Sequence, residues 1–487
     1  MFHATKFRFL GLFAFCAFLI PAASASAETL QQAMIRAYDN NPSLKSARAK
    51  LRAVDEQVPL AKSGARPSAD FSADIGTQTT DFNGTSAEIT PRQIGVTVSQ
   101  PIYKGGRIDS SIDSAEKAVL AERANLVNAE QTLFLSVAQV YYDLVRDQAV
   151  MRLTKQTEGV LGKELQAARD RLKVGEATKT DMSQAASRLA GATADRIEAE
   201  GKLEISKATY EKIIGVPAGE LSQNAINFTL PPTADEVIAK AQKNSPRVIS
   251  AQYAMQAAEH DVDVASGALL PDISIEASGA RGWDQSVASL GELSSATIMA
   301  RLVMPIYRSG SDYAKTRAAK ETASQKRLDV RSTMDEAREN AVRAWQQLVT
   351  ARATITARKK QVEASALAYE GVKQESEVGT RTILDRLDAE SETLQSQVNL
   401  VQAERDQAVA MFDVKAAVGE LTADNLALPV AIYDSKAHYD AVKDTWIGLQ
   451  IGLTESAPVE APKSEAEKAT GETSEDGWFD GLLGMKW

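Results

Sequence analysis

Cysteine is almost missing: the 487 residues contain one, Cys16. It falls in a stretch that reads as a secretory signal. Lys6 and Arg8 supply the positive start, residues 9–20 the short apolar run, and Ala25-Ser26-Ala27 the small-residue cleavage site. A mature chain starting at Glu28 has no cysteine, which excludes disulfides, thiol catalysis and thiolate metal sites. Cys16 also sits mid-run after Phe13-Ala14-Phe15, without the small residues of a lipoprotein processing site. Histidine is nearly as scarce. Past the signal only His260 and His438 occur, far apart, so no clustered metal-ligand spacing exists. The Gly105-Gly106 pair lacks the rest of a phosphate-loop signature. Neither a catalytic constellation nor a cofactor is expected, and the chain reads as a non-enzyme. Long apolar runs are missing too: residues 9–20 fall short of the roughly 20 needed to cross a bilayer as a helix. Positive charge is in deficit. Without Lys6 and Arg8, 53 basic residues face 65 acidic ones, a net charge of −12 that suits neither nucleic acid nor anionic lipid. What remains is an exported protein, periplasmic or extracellular, or an outer-membrane barrel whose strands hydropathy does not reveal.

Proline is absent from 102–216 and from 306–428. Both intervals are rich in Ala, Gln, Glu, Lys, Arg and Leu, the good helix formers. Apolar residues alternate at spacings of three and four, as in Leu133, Val137, Val140, Leu144 and again in Leu161, Leu165, Ala168, Leu172, which is coiled-coil spacing. Each interval breaks once, at Val174-Gly175 and Val378-Gly379, where glycine permits the left-handed turn that ends a helix. The pattern predicts two helical hairpins. The first descends over about 107–172, about 100 Å of helix, and returns over about 179–214, about half as far. Stretches 29–62 and 234–266 are helical in pattern and are the right length to stack on a returning limb. Asn41-Pro42 and Ser245-Pro246 interrupt them as helix starts.

These features come in pairs at one offset of 204 positions: Pro42 and Pro246, Pro67 and Pro271, Pro101-Ile102-Tyr103 and Pro305-Ile306-Tyr307, Asp181 and Asp385, Gly215 and Gly419. The chain is an internal repeat with almost no net insertion. Between the helical parts lies another period. Ile94, Val96 and Val98 alternate, as do Ile298, Ala300 and Leu302; Phe71, Ala73 and Ile75 are matched by Ile275, Ala277 and Gly279. Each copy thus holds two strands of about 10 to 13 residues, long enough for tilted membrane-spanning strands. Polar loops, 81–91 and 284–294, connect them. Four strands cannot close a barrel, and an open edge in lipid leaves backbone groups unpaired. Subunits must pool strands: eight from a dimer or twelve from a trimer, and the residues leave both open. Tyr103 and Tyr307, where strands end, suit a membrane-interface aromatic belt.

This arrangement resembles the TolC family of outer-membrane channels over about 28–453. The most specific patch is Val378-Gly379-Thr380-Arg381-Thr382-Ile383-Leu384-Asp385-Arg386-Leu387-Asp388-Ala389, with a looser counterpart in Val174-Gly175-Glu176-Ala177-Thr178-Lys179-Thr180-Asp181. The resemblance implies a homotrimer with a twelve-stranded barrel in outer-membrane lipid and a twelve-helix periplasmic tunnel. It implies a passive exit duct for drug efflux or type I protein secretion, joined by a periplasmic adaptor to an inner-membrane transporter of ABC, RND or MFS type. By the same resemblance Asp385 and Asp388 line the periplasmic constriction. Arg381 is expected to hold the closed state through Asp181, and the turns Val174-Gly175 and Val378-Gly379 are possible adaptor contacts. One position departs: the gating tyrosine of the family is Ser376 here. A general diffusion pore and a soluble periplasmic coiled-coil adaptor are the alternative readings.

The expected division is a signal at 1–27; a periplasmic helix, strand pair and helical hairpin with an equatorial segment at 28–66, 67–103 and 104–232; their repeats at 233–270, 271–307 and 308–428; an equatorial segment at 429–453; and a disordered tail at 454–487. The tail's last eleven residues, 477–487, carry Trp478, Phe479 and Trp487 and suit partner binding or a dispensable extension.

Overall fold

Pro42 and Pro246 each open a helix at its first turn, where a missing N–H costs nothing. The computed structural model describes residues 28–449 except 83, 223–228 and 287–290. The expected signal and tail lie outside the described residues. α1 (Leu30–Asn40), α2 (Pro42–Asp55) and α3 (Gln57–Ser63) form the broken first helix, and the repeat has α6 (Ala234–Asn244) and α7 (Pro246–Gly267). The long helices are α4 (Arg107–Lys173) and α8 (Ser311–Glu377); the returning limbs are α5 (Lys179–Ile214) and α9 (Ile383–Ala417). Each returning limb starts at a capping box, Thr178 with Asp181 and Thr382 with Asp385, which satisfies the first free N–H groups.

α5 lies along α4 and α9 along α8, while α7 packs between α4 and α8 and α9 also touches α4. The half-length limbs are completed as the lengths predict: α5 runs into α1 and α2, and α9 into α6 and α7. The largest core gathers at the α5–α2 junction, from Leu30, Met34 and Tyr38, through Phe134, Val137 and Tyr141 of α4, to Tyr210, Ile214 and Phe412. A smaller copy holds Val237, Ala241, Ala341, Leu348, Val414 and Val418. The segment after α9 crosses this level. Tyr433 donates its N–H to the Tyr38 hydroxyl (3.1 Å), and α10 (Ala437–Val442) docks through His438 on Asp55 (3.1 Å).

Four strands, β1 (Ser68–Ile75), β4 (Arg92–Lys104), β5 (Asp272–Trp283) and β6 (Glu292–Val303), form one antiparallel sheet in the order β1-β4-β5-β6. The first loop is not irregular as expected: β2 (Gln78–Phe82) and β3 (Thr85–Ile89) extend the hairpin as a two-stranded arm. Register puts Phe71, Val96, Gly279 and Ala296 in one row across the sheet, next to Ala69, Val98, Ala277 and Ile298. The intervening rows are polar, such as Asp70, Thr97, Ser278 and Thr297. One face is apolar and the other hydrophilic, which is the alternation of a barrel wall between lipid and a wet lumen. The two tyrosines expected at the membrane interface are not equivalent. Tyr103 lies within β4, opposite Ile273 beyond a bulge at Pro101, whereas Tyr307 lies past the end of β6. No described helix is long and apolar enough to cross a membrane.

Candidate functional site: the periplasmic hairpin tips

At the far end of both hairpins, Gly175 (φ 79°) and Gly379 (φ 81°) take the left-handed conformation that lets a helix reverse. The preceding Val174 and Val378 are 71% and 76% exposed, two apolar side chains offered to solvent at the extreme tip. Ser376 enters the turn through its backbone carbonyl, which accepts from the Gly379 N–H (3.2 Å).

The expected link between Arg381 and Asp181 is not made within the subunit. Arg381 Nε instead donates to Glu375 Oε2 of its own hairpin (3.0 Å). Asp181 is engaged by the Thr178 backbone N–H (2.9 Å), and those bonds, the backbone one first, hold its carboxyl below the usual range. Asp385 is held the same way by Thr382, through the hydroxyl (2.8 Å) and then the N–H (3.0 Å), and its carboxyl is likewise drawn down. Both aspartates are fixed by helix capping, which competes with a long reach to the other hairpin.

What joins the hairpins here is Asp388, already singled out in the sequence, together with Arg188, Arg386, Glu164 and Leu387, whose contacts sequence reasoning missed. Asp388 of α9 pairs with Arg188 of α5, both half exposed. Arg386, 7% exposed, pairs with Glu164 of α4. Leu387, 2% exposed, fills a socket of Leu161 from α4 and Ala192 from α5, flanked by Leu189. Burial pushes the Arg386 guanidinium down and the nearby Glu390 carboxyl up, each group being disfavoured in its charged form. The one signal available in sequence was a charged residue, Arg386, set between Asp385 and Leu387 on an otherwise amphipathic limb. Higher up, Arg405 of α9 grips Asp143 of α4 through Nε (2.9 Å) and Nη2 (3.3 Å), and Arg146 ties in Asp143 and Asp147.

An antiparallel sheet with one apolar face and two open edges, carried on two hairpins of this length, is a barrel segment joined to a tunnel segment. The sequence matches the outer membrane efflux protein family over residues 34–216 and 237–420, one match per repeat. The chain belongs to that family. The outer membrane efflux protein BepC of Brucella suis is 35% identical over 430 residues, covering 88% of this chain and 93% of the relative. TolC of Vibrio cholerae is 25% identical, covering 85% and 96%. Among solved structures, the CmeC outer membrane channel of Campylobacter jejuni superposes with a TM-score of 0.73 at 18% identity, over 85% and 89% of the two chains, and shows the shared fold. The protein is thus a TolC-like outer-membrane efflux channel, its sheet in the outer membrane and its helices in the periplasm. That placement sets aside the soluble adaptor reading.

Proposed function

We propose that the protein is the homotrimeric exit duct of a tripartite export system, passive and gated at its periplasmic tips. The observation that carries the trimer is the sheet order. β1 and β6 are open edges that run antiparallel to each other, so β6 of one subunit fits β1 of the next. Twelve strands leave a lumen, whereas eight are filled by side chains. In this reading Asp385 and Asp388 give two carboxylates per subunit to an acidic constriction, and Val174-Gly175 and Val378-Gly379 meet a periplasmic adaptor that docks an inner-membrane transporter. In the same reading the transporter drives export and chooses the cargo, small molecules or a secreted protein.

Reconstitution tests this. Purified protein should run as a trimer in detergent and give a small, cation-preferring conductance in planar bilayers. A wide, unblocked wild-type current would instead identify a general diffusion pore. Crosslinking in intact envelopes from the two valine tips, followed by identification of the captured proteins, should recover an adaptor. Recovery of none with crosslinkers at either tip would remove the tripartite reading.

A further inference from the structure

Three consecutive residues of α9 contact three different surfaces of the first hairpin. Arg386 meets Glu164 on α4, Leu387 drops between Leu161 of α4 and Ala192 of α5, and Asp388 meets Arg188 on α5. Successive helical residues point about 100° apart, so these contacts require α9 to lie in the groove between α4 and α5. That groove, about 500 Å³, is lined by Leu161, Arg188, Ala192, Leu387 and Glu390. The pairs at the turn are of another kind. Arg381–Glu375, Asp385–Thr382 and Asp181–Thr178 each stay within one hairpin, so a hairpin can swing as a unit without breaking any of them. Only bonds that cross from one hairpin to the other resist the swing. Near the tip these are Arg386–Glu164 and Arg188–Asp388. The next level up is Arg405–Asp143, about 28 Å further along α9, where the same rotation moves atoms far less.

We propose that the Arg386–Glu164 pair, seated beside Leu387 in its socket, is the clasp that sets the closed position of the second hairpin, with Arg188–Asp388 as its outer partner and the Arg405–Asp143 level as its pivot. The proposal rests on the gated-duct reading and names the residues that regulate it. The clasp works because its guanidinium is buried. Without Glu164 the buried guanidinium keeps only Glu390 of its own helix, no charge of the first hairpin faces it, and the weakened seat is relieved by letting water in, which means opening. The apolar neighbour Leu387 gives the closed position its register but no directional hold. A buried ionic pair beside an apolar knob therefore makes a two-position contact, seated or wet.

The experiment is single-channel conductance of the full-length protein in planar bilayers, for Glu164→Arg, Arg386→Glu and the double swap. Each single reversal should raise the conductance several-fold, and the swap should return it toward wild type, because the pair is restored with reversed polarity. Single reversals that leave the low conductance unchanged in inserted channels overturn the clasp while leaving the gated duct standing. A swap that stays as open as the single variants also overturns it, since the effect is then not the pair's. A rise with Arg381→Ala but with neither reversal moves the closing link to the turn and overturns it too. If a buried reversal fails to insert, the exposed pair gives an independent reading: Arg188→Asp should open the channel, and an unchanged conductance in that variant refutes the proposal. A wild type that is already wide removes the gated reading itself, a result distinct from all of these.

Discussion

Asn41 binds the end of one helix to the start of another: its Nδ2 donates to the carbonyl of Ile213 at the end of α5 (2.9 Å) while its Oδ1 accepts from the N–H of Ser43 at the start of α2 (2.9 Å). One side chain thus satisfies a free carbonyl and a free amide where two helices abut. Asn41→Ala should destabilise the tunnel by about 1 kcal/mol for the lost cap, and further for the orphaned carbonyl. Asn41→Ser keeps an oxygen for the cap and loses the donor to Ile213 without placing a charge there, so its deficit should be smaller. Thermal unfolding followed by circular dichroism in detergent orders the three proteins. Equal midpoints for all of them would remove the staple.

Where barrel meets tunnel, two glycines touch. A Cβ on Gly105 would lie 2.2 Å from the Gly267 carbonyl oxygen, and Gly105 also has φ +63°. Its neighbour Gly106, at φ +72°, has nothing within 4 Å of such an atom. Gly105→Ala should therefore block assembly of the inserted trimer. Gly106→Ala bears only the left-handed backbone cost of about 1–2 kcal/mol and should still assemble. Trimer yield on mild-detergent gels separates them. Equal yields would mean that the Gly105–Gly267 approach is not obligatory.

Block of the channel by a trivalent cation probes the proposed acidic constriction. Asp385→Ala with Asp388→Ala should weaken block strongly, and unaltered block would dismiss the ring. The pH dependence follows from the capping bonds. Because Thr382 holds the Asp385 carboxyl below its ordinary range, the charge is present at neutral pH and is lost only as pH falls below that range. Thr382→Ala removes the hydroxyl bond and raises that carboxyl, so block should then fade at a higher pH than in wild type.

Asp55, 1% exposed, faces His438, 5% exposed, and burial is the main reason its carboxyl is pushed up. His438→Ala leaves a buried acceptor without its partner, a cost on the order of 1–3 kcal/mol. Lys62–Asp444 (2.7 Å) still tethers the far end, so the expected effect is local. Proteolytic cleavage within 437–442 should quicken several-fold while the long helices stay protected. Cleavage at the wild-type rate would show that the His438 contact does not hold α10.

The returning limb was legible because both its ends carry punctuation. The reading of 179–214 coincides with Lys179–Ile214, bounded by the Thr178 cap and Gly215 at φ +90°. The membrane strands were legible because one of their faces is apolar. The β2–β3 arm was not, since Thr79, Thr80, Ala87 and Glu88 show no apolar alternation for a strand pattern to catch. Nor was the inequality of Tyr103 and Tyr307. β4 is paired on both sides and stays extended through its tyrosine, whereas β6 is paired on one side within the chain and ends at Val303. At the tips, the turn and its aspartates could be read locally, but which charge meets which could not. Arg386 and Glu164 are far apart in sequence and become neighbours only when α9 settles against α4, so each alone looks like a solvated surface charge.

α4 and α8 are both 67 residues long although little of their sequence is shared. Equal length makes the channel a ruler. Adding one residue to a single long helix would push its tip about 1.5 Å past its neighbours and rotate everything beyond by about 100°. Insertions and deletions are thus tolerable only when made in step across both repeats, and the distance spanned beneath the outer membrane is inherited as one dimension rather than tuned helix by helix.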